Sequence, residues 1–161
     1  MAATTNAASN SAQNEQIVPI SKLWWVGLVA AAGASIANLV FFFVTKSVFG
    51  IPYIIPMGGP GGPLTVMPAG LIVVFSGVPA VGATILLAIL SKVASRPMRV
   101  FWIISAVVFV ISFLLPIGLP SSVATSSRIG LALMHVIAAA VIVGVLSTLG
   151  RQKQIHTDPQ D

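Results

Sequence analysis

Four long apolar segments, none of which contains a charged residue, dominate this 161-residue chain. They cover residues 23–44, 69–90, 100–117 and 129–149. Each approaches the roughly 20 residues that an α-helix needs to cross about 30 Å of hydrocarbon. None shows the polar–apolar alternation that a membrane-spanning β-strand requires. The sequence therefore predicts an all-α fold, a four-helix transmembrane bundle in residues 22–150.

Polar tails flank these segments at both ends of the chain. Residues 1–21 are mainly small and polar and cannot bury enough apolar surface to order themselves, so we expect a disordered tail. Residues 151–161 form a second polar tail, in which His156 is expected to be an ordinary solvent-exposed imidazole. AAAGASIA in the first apolar segment resembles a secretory cleavage site. Because the apolar run continues through NLVFFFV, we favour an uncleaved first helix over a cleaved signal.

The basic residues predict how the helices are oriented. The net charge is +5, and none of the eight Lys and Arg residues lies inside an apolar segment. Short loops rich in Lys and Arg stay in the cytoplasm. Two basic residues, Lys46 and Arg128, lie on one side, and the other side has Lys22, Lys92, Arg96, Arg99, Arg151 and Lys153. We therefore expect cytoplasmic termini in a bacterial cell membrane, with the lipid bilayer rather than nucleic acid accounting for the positive charge.

The acidic residues are confined to the tails, and the chain has no cysteine. The three acids are Glu15, Asp158 and Asp161. No apolar segment therefore contains a carboxylate or a thiol for acid–base catalysis, nucleophilic attack or metal binding. The sequence predicts that the protein is not an enzyme and has no catalytic residue, no metal site and no resident cofactor.

The loop at residues 45–68, which this topology places outside, has an unusual composition. From Lys46 to Pro68 it holds five prolines and five glycines, which exclude a regular helix through most of it. Its IPYIIPM segment is apolar, which a freely solvated loop would not favour. One interpretation places the loop on the outer membrane surface, with Tyr53 in the interfacial layer. The other makes it a docking surface for another membrane subunit, since exposed apolar patches often mark partner sites.

Four polar side chains are predicted to share one depth in the outer leaflet. Asn38 lies six residues before the outer end of the first segment, and His135 lies six residues after the outer start of the fourth. At 1.5 Å per residue both lie roughly 9 Å below the boundary. Ser76 and Ser112, in the second and third segments, fall at about the same depth.

The neighbours of Asn38 and Ser76 predict that this layer points into the bundle. Small residues share their helix faces and allow two helices to approach closely. Pro79 cannot donate to the carbonyl of Phe75, which predicts a kink in the second helix. We expect the freed carbonyl to add one acceptor to the same layer.

The imidazole of His135 allows two interpretations. In the structural one, a neutral His135 is hydrogen-bonded to Asn38 or to a serine and ties the first and fourth helices together. In the functional one, His135 and Asn38 are the polar end of a pocket for a small apolar ligand such as a lipid, a quinone or a pigment. Imidazole also ligates haem iron and chlorophyll magnesium, although one intramembrane histidine excludes bis-histidine haem within a single chain.

Two sequence segments resemble a family of small bacterial four-helix integral membrane proteins of unknown function. These are LWWVGLVAAAGASIAN, which ends at Asn38, and RIGLALMHVIAAAVIV, which contains His135. In that family the asparagine of the first helix and a Met-His pair in the last helix recur together. The resemblance implies a multi-pass bacterial membrane protein and implies no activity.

Two functions from different classes follow as hypotheses. The first is a non-enzymatic accessory, assembly or scaffold subunit that packs against a larger membrane complex, or against further copies of itself. The alternative is a protein that binds a small apolar ligand around Asn38, Ser76, Ser112 and His135. A channel is disfavoured because no ring of charge lines the predicted interior.

Overall fold

The computed structural model describes residues 19–58 and 61–151 of the chain. It contains the helices α1 (Ile20–Val48), α2 (Ala69–Val93), α3 (Pro97–Ser112), α4 (Leu114–Ile117) and α5 (Thr125–Leu149). Two short strands, β1 (Ile54–Pro56) and β2 (Leu64–Val66), lie between α1 and α2. α1, α2, the combined segment Pro97–Ile117 and α5 are each long and apolar enough to cross a membrane. The four predicted membrane helices are therefore confirmed, and the side on which the termini lie stays a prediction.

The helices are longer than the apolar segments that predicted them. α1 begins at Ile20 and continues to Val48. It therefore includes the last two residues of the predicted tail and the first four of the predicted loop. The rest of the predicted N-terminal tail, and all of the C-terminal tail after Arg151, His156 included, lie outside the described residues.

The third membrane segment is interrupted at Phe113. α3 ends at Ser112, Phe113 forms a turn, and α4 continues to Ile117. The cause lies four residues after Ser112, where Pro116 has no N–H to donate to the Ser112 carbonyl. An interruption at this point was not predicted.

The helices pack in a closed cycle. α1 packs against α2 on one side and α5 on the other, and α3 contacts both α2 and α5. At the end where Lys22, Lys92 and Arg151 lie, the basic end, these helices share an apolar core. The buried members of this core are Leu23, Val26, Ala30, Ala34, Ala80, Leu87, Leu90, Met98, Phe101, Ile142 and Leu146.

Small residues bring α1 and α2 close together. A Cβ atom added to Gly27 would lie 2.5 Å from Thr84 Oγ1, a distance that real Cβ atoms do not reach. Ala34 and Ala80 are fully buried in the same region. The predicted small-residue faces of the first two helices are therefore confirmed as faces that pack within the chain.

A β-hairpin covers the opposite end of the helices, the hairpin end. β1 and β2 pair antiparallel, with Ile54 opposite Val66 and Pro56 opposite Leu64. The hairpin contributes to a second apolar group, the hairpin-end core, whose buried members are Phe42, Tyr53, Met67, Ile72 and Met134. The loop therefore has regular structure that the expectation of an all-α fold missed.

Candidate functional site

Asn38 and Ser76 form a buried polar pair between α1 and α2. The side-chain amide of Asn38 donates from Nδ2 to Ser76 Oγ over 3.0 Å. Asn38 is 4% exposed and Ser76 is 1% exposed. Both lie one helical turn beneath the hairpin-end core, since Phe42 follows Asn38 by four residues and Ile72 precedes Ser76 by four. The structure thus brings two of the four predicted layer residues together.

The Asn38 amide has one polar atom more than its surroundings satisfy. Oδ1 is buried and has no hydrogen-bond partner within the described part of the chain. Rotating the amide by 180° would exchange the oxygen and the nitrogen. The oxygen would then accept from Ser76, and the nitrogen would have no partner, because the Ser76 hydroxyl lies beside only one of the two positions. An unpaired buried polar group costs about 1–3 kcal/mol, so this position favours a further hydrogen-bonding group.

His135 lies in a different helix interface from this pair. Its Nδ1 atom is 2.8 Å from the carbonyl oxygen of Leu131, one turn earlier in α5. Its ring is tilted against Phe113, with ring centroids 6.5 Å apart, so it faces the junction of α3 and α4. The interpretation in which His135 bonds to Asn38 or to a serine is therefore wrong, because its own helix supplies the partner.

The hydroxyl of Ser112 also bonds within its own helix. Ser112 Oγ donates to the carbonyl of Phe109 over 2.7 Å, a bond that satisfies a serine in hydrocarbon without a second helix. Ser112 is half-buried, and the hydrogen bond of its hydroxyl stays within its helix. The predicted single layer is consequently reduced to the Asn38–Ser76 pair, whereas Ser112 and His135 are each bonded within their own helix.

Pro79 lies inside α2, which continues through it to Val93. The side chains of Pro79 and Phe75 are both exposed, whereas Ser76 and Ala80 are buried. The carbonyl of Phe75 therefore belongs to the exposed side of α2 and does not add an acceptor beside Asn38. The predicted kink at Pro79 stays a prediction.

Tyr53 lies inside the protein, between the hairpin and the helices. Its side chain is fully buried, its ring lies 4.8 Å from that of Phe42, and its hydroxyl lies 2.7 Å from Thr45 Oγ1. Thr45 has one hydroxyl hydrogen, which the Phe41 carbonyl accepts at 2.7 Å, so Tyr53 is the donor to Thr45. The interfacial position proposed for Tyr53 is wrong.

The sequence contained one signal of this role. Tyr53, the single tyrosine of the chain, stands in the apolar stretch IPYIIP of a loop that otherwise offers little to anchor it. In the structure its φ of +45° is unusual for a side chain of this size. Such a conformation persists only where the surroundings hold it. Tyr53 thus anchors the hairpin to α1.

The chemistry available at these positions is hydrogen bonding without charge. In the described ranges no three His, Cys, Asp or Glu residues are grouped so that they could hold a metal ion. Asn38 and Ser76 offer a neutral amide and a hydroxyl, and His135 offers an imidazole. The arrangement can bind or orient a neutral polar group within the membrane.

Comparison with known proteins gives one family. Residues 18–152 match the family described as "Family of unknown function (DUF6069)". No curated protein and no solved structure matches the chain. The match includes both helices on which the predicted resemblance depends.

Proposed function

The chain belongs to this family of unknown function, and we propose that it is a non-enzymatic accessory, assembly or scaffold subunit of a larger complex in the cell membrane. In this proposal both termini are cytoplasmic and the hairpin end faces outward, following the excess of basic residues at the other end. One surface feature of α5 carries the proposal.

A row of mostly small residues runs along the surface of α5. Its members are spaced four residues apart and form one continuous row inclined to the helix axis, with Val136 as the one larger residue: Ala132, Val136, Ala140, Gly144 and Thr148. Val136, Ala140 and Thr148 are exposed, and a Cβ atom added to Gly144 would meet no atom within 4 Å. We call this surface the α5 ridge.

The contrast with Gly27 supports a partner for the α5 ridge. Because Gly27 has no side chain, the α1 backbone packs directly against Thr84 of α2. Its small size therefore serves a contact within the chain. Gly144 permits the same close approach, and no described residue makes it. Lipid chains are as apolar as leucine, so helices in a membrane associate through such small-residue contacts.

Site-directed photo-crosslinking tests the accessory role in the membrane of the source cells. A photoreactive amino acid replaces Ala140 in one variant and Val107 in a control. Val107 is also exposed and lies at a similar distance from the basic end, on α3. We expect a discrete adduct with one other protein from position 140 and none from position 107, because position 140 lies on the α5 ridge beside Gly144, whereas Val107 lies among bulky exposed residues such as Ile103 and Ile111.

A second substitution makes this test specific. With the photoreactive group at Val136, Gly144→Leu should abolish the adduct, because the added side chain separates the two helices. Adducts with lipid alone, or equal adducts from both positions, would contradict the proposal. An adduct with a second copy of the chain would replace the accessory role with self-association.

The unpaired Oδ1 atom of Asn38 favours a second candidate function, the binding of a small apolar ligand such as a lipid, a quinone or a pigment. A ligand with a hydroxyl group would supply the hydrogen-bond donor that Oδ1 lacks. With the amide rotated by 180°, the unpaired Nδ2 would instead donate to a carbonyl such as that of a quinone. Native mass spectrometry and an absorption spectrum of protein purified in mild detergent test this candidate. A bound compound should be present in the wild type and in the lipid-facing control Val107→Leu, and absent from Asn38→Leu. The same composition in all three proteins would refute it.

A further inference from the structure

We propose that His135 Nε2 accepts a hydrogen bond from the hydroxyl group of a neutral amphiphile, at a position between α5 and the junction of α3 and α4. The proposal goes beyond the accessory role, and it uses residues other than Asn38 and Ser76. We call it the His135 site.

The hydrogen bond to Leu131 determines which nitrogen of His135 is available. A carbonyl oxygen only accepts, so the Nδ1 atom that lies 2.8 Å from it carries the hydrogen. In the neutral imidazole the other nitrogen, Nε2, then has a free lone pair. No polar atom of the described residues is hydrogen-bonded to Nε2, and the ring is half-buried. His135 therefore presents an oriented acceptor.

The neighbouring hydroxyl of Ser112 does not compete for this lone pair. Ser112 Oγ donates to the Phe109 carbonyl over 2.7 Å, so its hydrogen is engaged within its own helix.

Phe113 borders the site, because its ring lies against that of His135. α4 packs against α5, and the neighbouring Leu114 and Leu115 are exposed. A molecule dissolved in the bilayer can therefore approach the site from the side.

The composition of the His135 site selects the class of ligand. An uncharged acceptor binds a neutral O–H donor and offers nothing to an anion. His135 also lies six residues after the start of the apolar segment 129–149, roughly 9 Å along the helix. Charged lipid headgroups lie nearer the membrane surface than this. A hydroxyl on a hydrophobic body, as in a long-chain alcohol or a quinol, fits both conditions.

Nitrogen NMR of the full-length protein in lipid nanodiscs tests the proposal directly. Histidine is labelled with ¹⁵N, and His156→Gln leaves His135 as the single imidazole. The probe is 1-dodecanol, and the control is dodecyl methyl ether, which has a similar chain and no donor. We expect dodecanol to shift the Nε2 resonance saturably and leave Nδ1 protonated, while the ether leaves both resonances unchanged. Equal shifts from both compounds, or no saturable shift from dodecanol, would overturn the proposal.

Discussion

Gly130 provides the space that the Tyr53 ring occupies between the hairpin and α5. A Cβ atom at this position would lie 2.6 Å from the Tyr53 hydroxyl oxygen and 2.9 Å from the ring. Backbone and aromatic ring are therefore in direct contact. Tyr53 consequently joins three parts of the chain. It contacts α1 through Phe42 and Thr45, it contacts α5 through Gly130, and it directly precedes the first strand of the hairpin.

Gly130→Ala should destabilise the protein by displacing this ring. An alanine in a helix is favoured over glycine by about 1 kcal/mol, but overpacking of a filled site costs about 1–3 kcal/mol. We expect a lower midpoint of thermal unfolding in detergent. Gly144→Ala is the matched control, because no atom lies within 4 Å of its added methyl group, and its midpoint should be unchanged or higher. Equal midpoints for the two variants would show that Tyr53 does not occupy this space.

The phenol of Tyr53 should titrate at an unusually high pH. Burial raises its pKa above the ordinary value of 10.0. Tyr53 is the single tyrosine of the chain, so phenolate absorbance near 295 nm reports it alone among tyrosines. We expect a midpoint above that of free tyrosine in the folded protein and a normal midpoint after denaturation.

The direction of this shift determines its effect on stability. The folded state binds the phenol proton more tightly than the unfolded state does, so the contribution is complete below pH 10 and is lost as the pH rises through the folded pKa. Unfolding should therefore become easier in alkali. A titration midpoint equal to that of free tyrosine would mean that the ring is in water.

At the scale of elements, Tyr53 holds the β-hairpin as one unit against the helices. The Met67 N–H donates to the Tyr53 carbonyl over 2.9 Å, so the strands close directly above the buried ring. Met67 is buried beside it, whereas all three residues of β2 are exposed. A two-stranded hairpin by itself is marginally stable in water. The hairpin thus depends on its contact with the helical end.

Tyr53→Ala should release the hairpin without unfolding the helices. Hydrogen–deuterium exchange of residues 54–66 should rise by an order of magnitude or more, since the variant loses a buried aromatic side chain that contributes on the order of 3 kcal/mol. Exchange in α2 and α5 should change little. Ile54→Ala, at an exposed position of β1, is the control and should keep the hairpin protected. Protection of the hairpin in Tyr53→Ala would mean that the strands are stable by themselves.

The sequence predicted the helices because their signal is local. Each apolar segment of membrane length can be recognised without reference to the others, and the flanking basic residues indicate where each helix ends. The hairpin has no such signal: its strands have three residues each, too few for a periodic pattern, and one of the six positions is a proline. Its stability comes from contacts with Phe42 of α1 and with Met134 of α5, which lies far away in the chain. Composition alone did not supply those contacts.

The candidate site was predicted in part for the same reason. Depth along each helix is readable from sequence, and it correctly brought Asn38 and Ser76 together. The direction of a side chain around the helix bundle depends on which helices are neighbours. His135 adjoins the buried Met134 but turns toward Phe113, where the third membrane segment is interrupted, and this interruption was not predicted. The Leu131 carbonyl engages Nδ1 of His135, while Asn38 is bonded to Ser76.

At the scale of the whole molecule, the two ends differ in both charge and shape. The basic end has Lys22, Lys92, Arg96, Arg99 and Arg151, and short connections join its helices. The hairpin end has a folded cap and two basic residues, Lys46 and Arg128. Arg128 is engaged locally, since its side chain donates to the carbonyls of Val123 and Pro120. The charge difference predicts that the hairpin end is the one translocated.

Single cysteines can determine this orientation, because the natural chain has none. Gly61→Cys and Ser121→Cys place a thiol at the hairpin end, and Ser95→Cys places one between α2 and α3. All three positions are exposed, so each thiol is accessible to a water-soluble maleimide. The positive-inside rule predicts that intact cells are labelled at 61 and 121, and that position 95 reacts only after the membrane is opened. Labelling of intact cells at 95 alone would reverse the topology. It would also place the basic end, with its five described Lys and Arg residues, outside the cell.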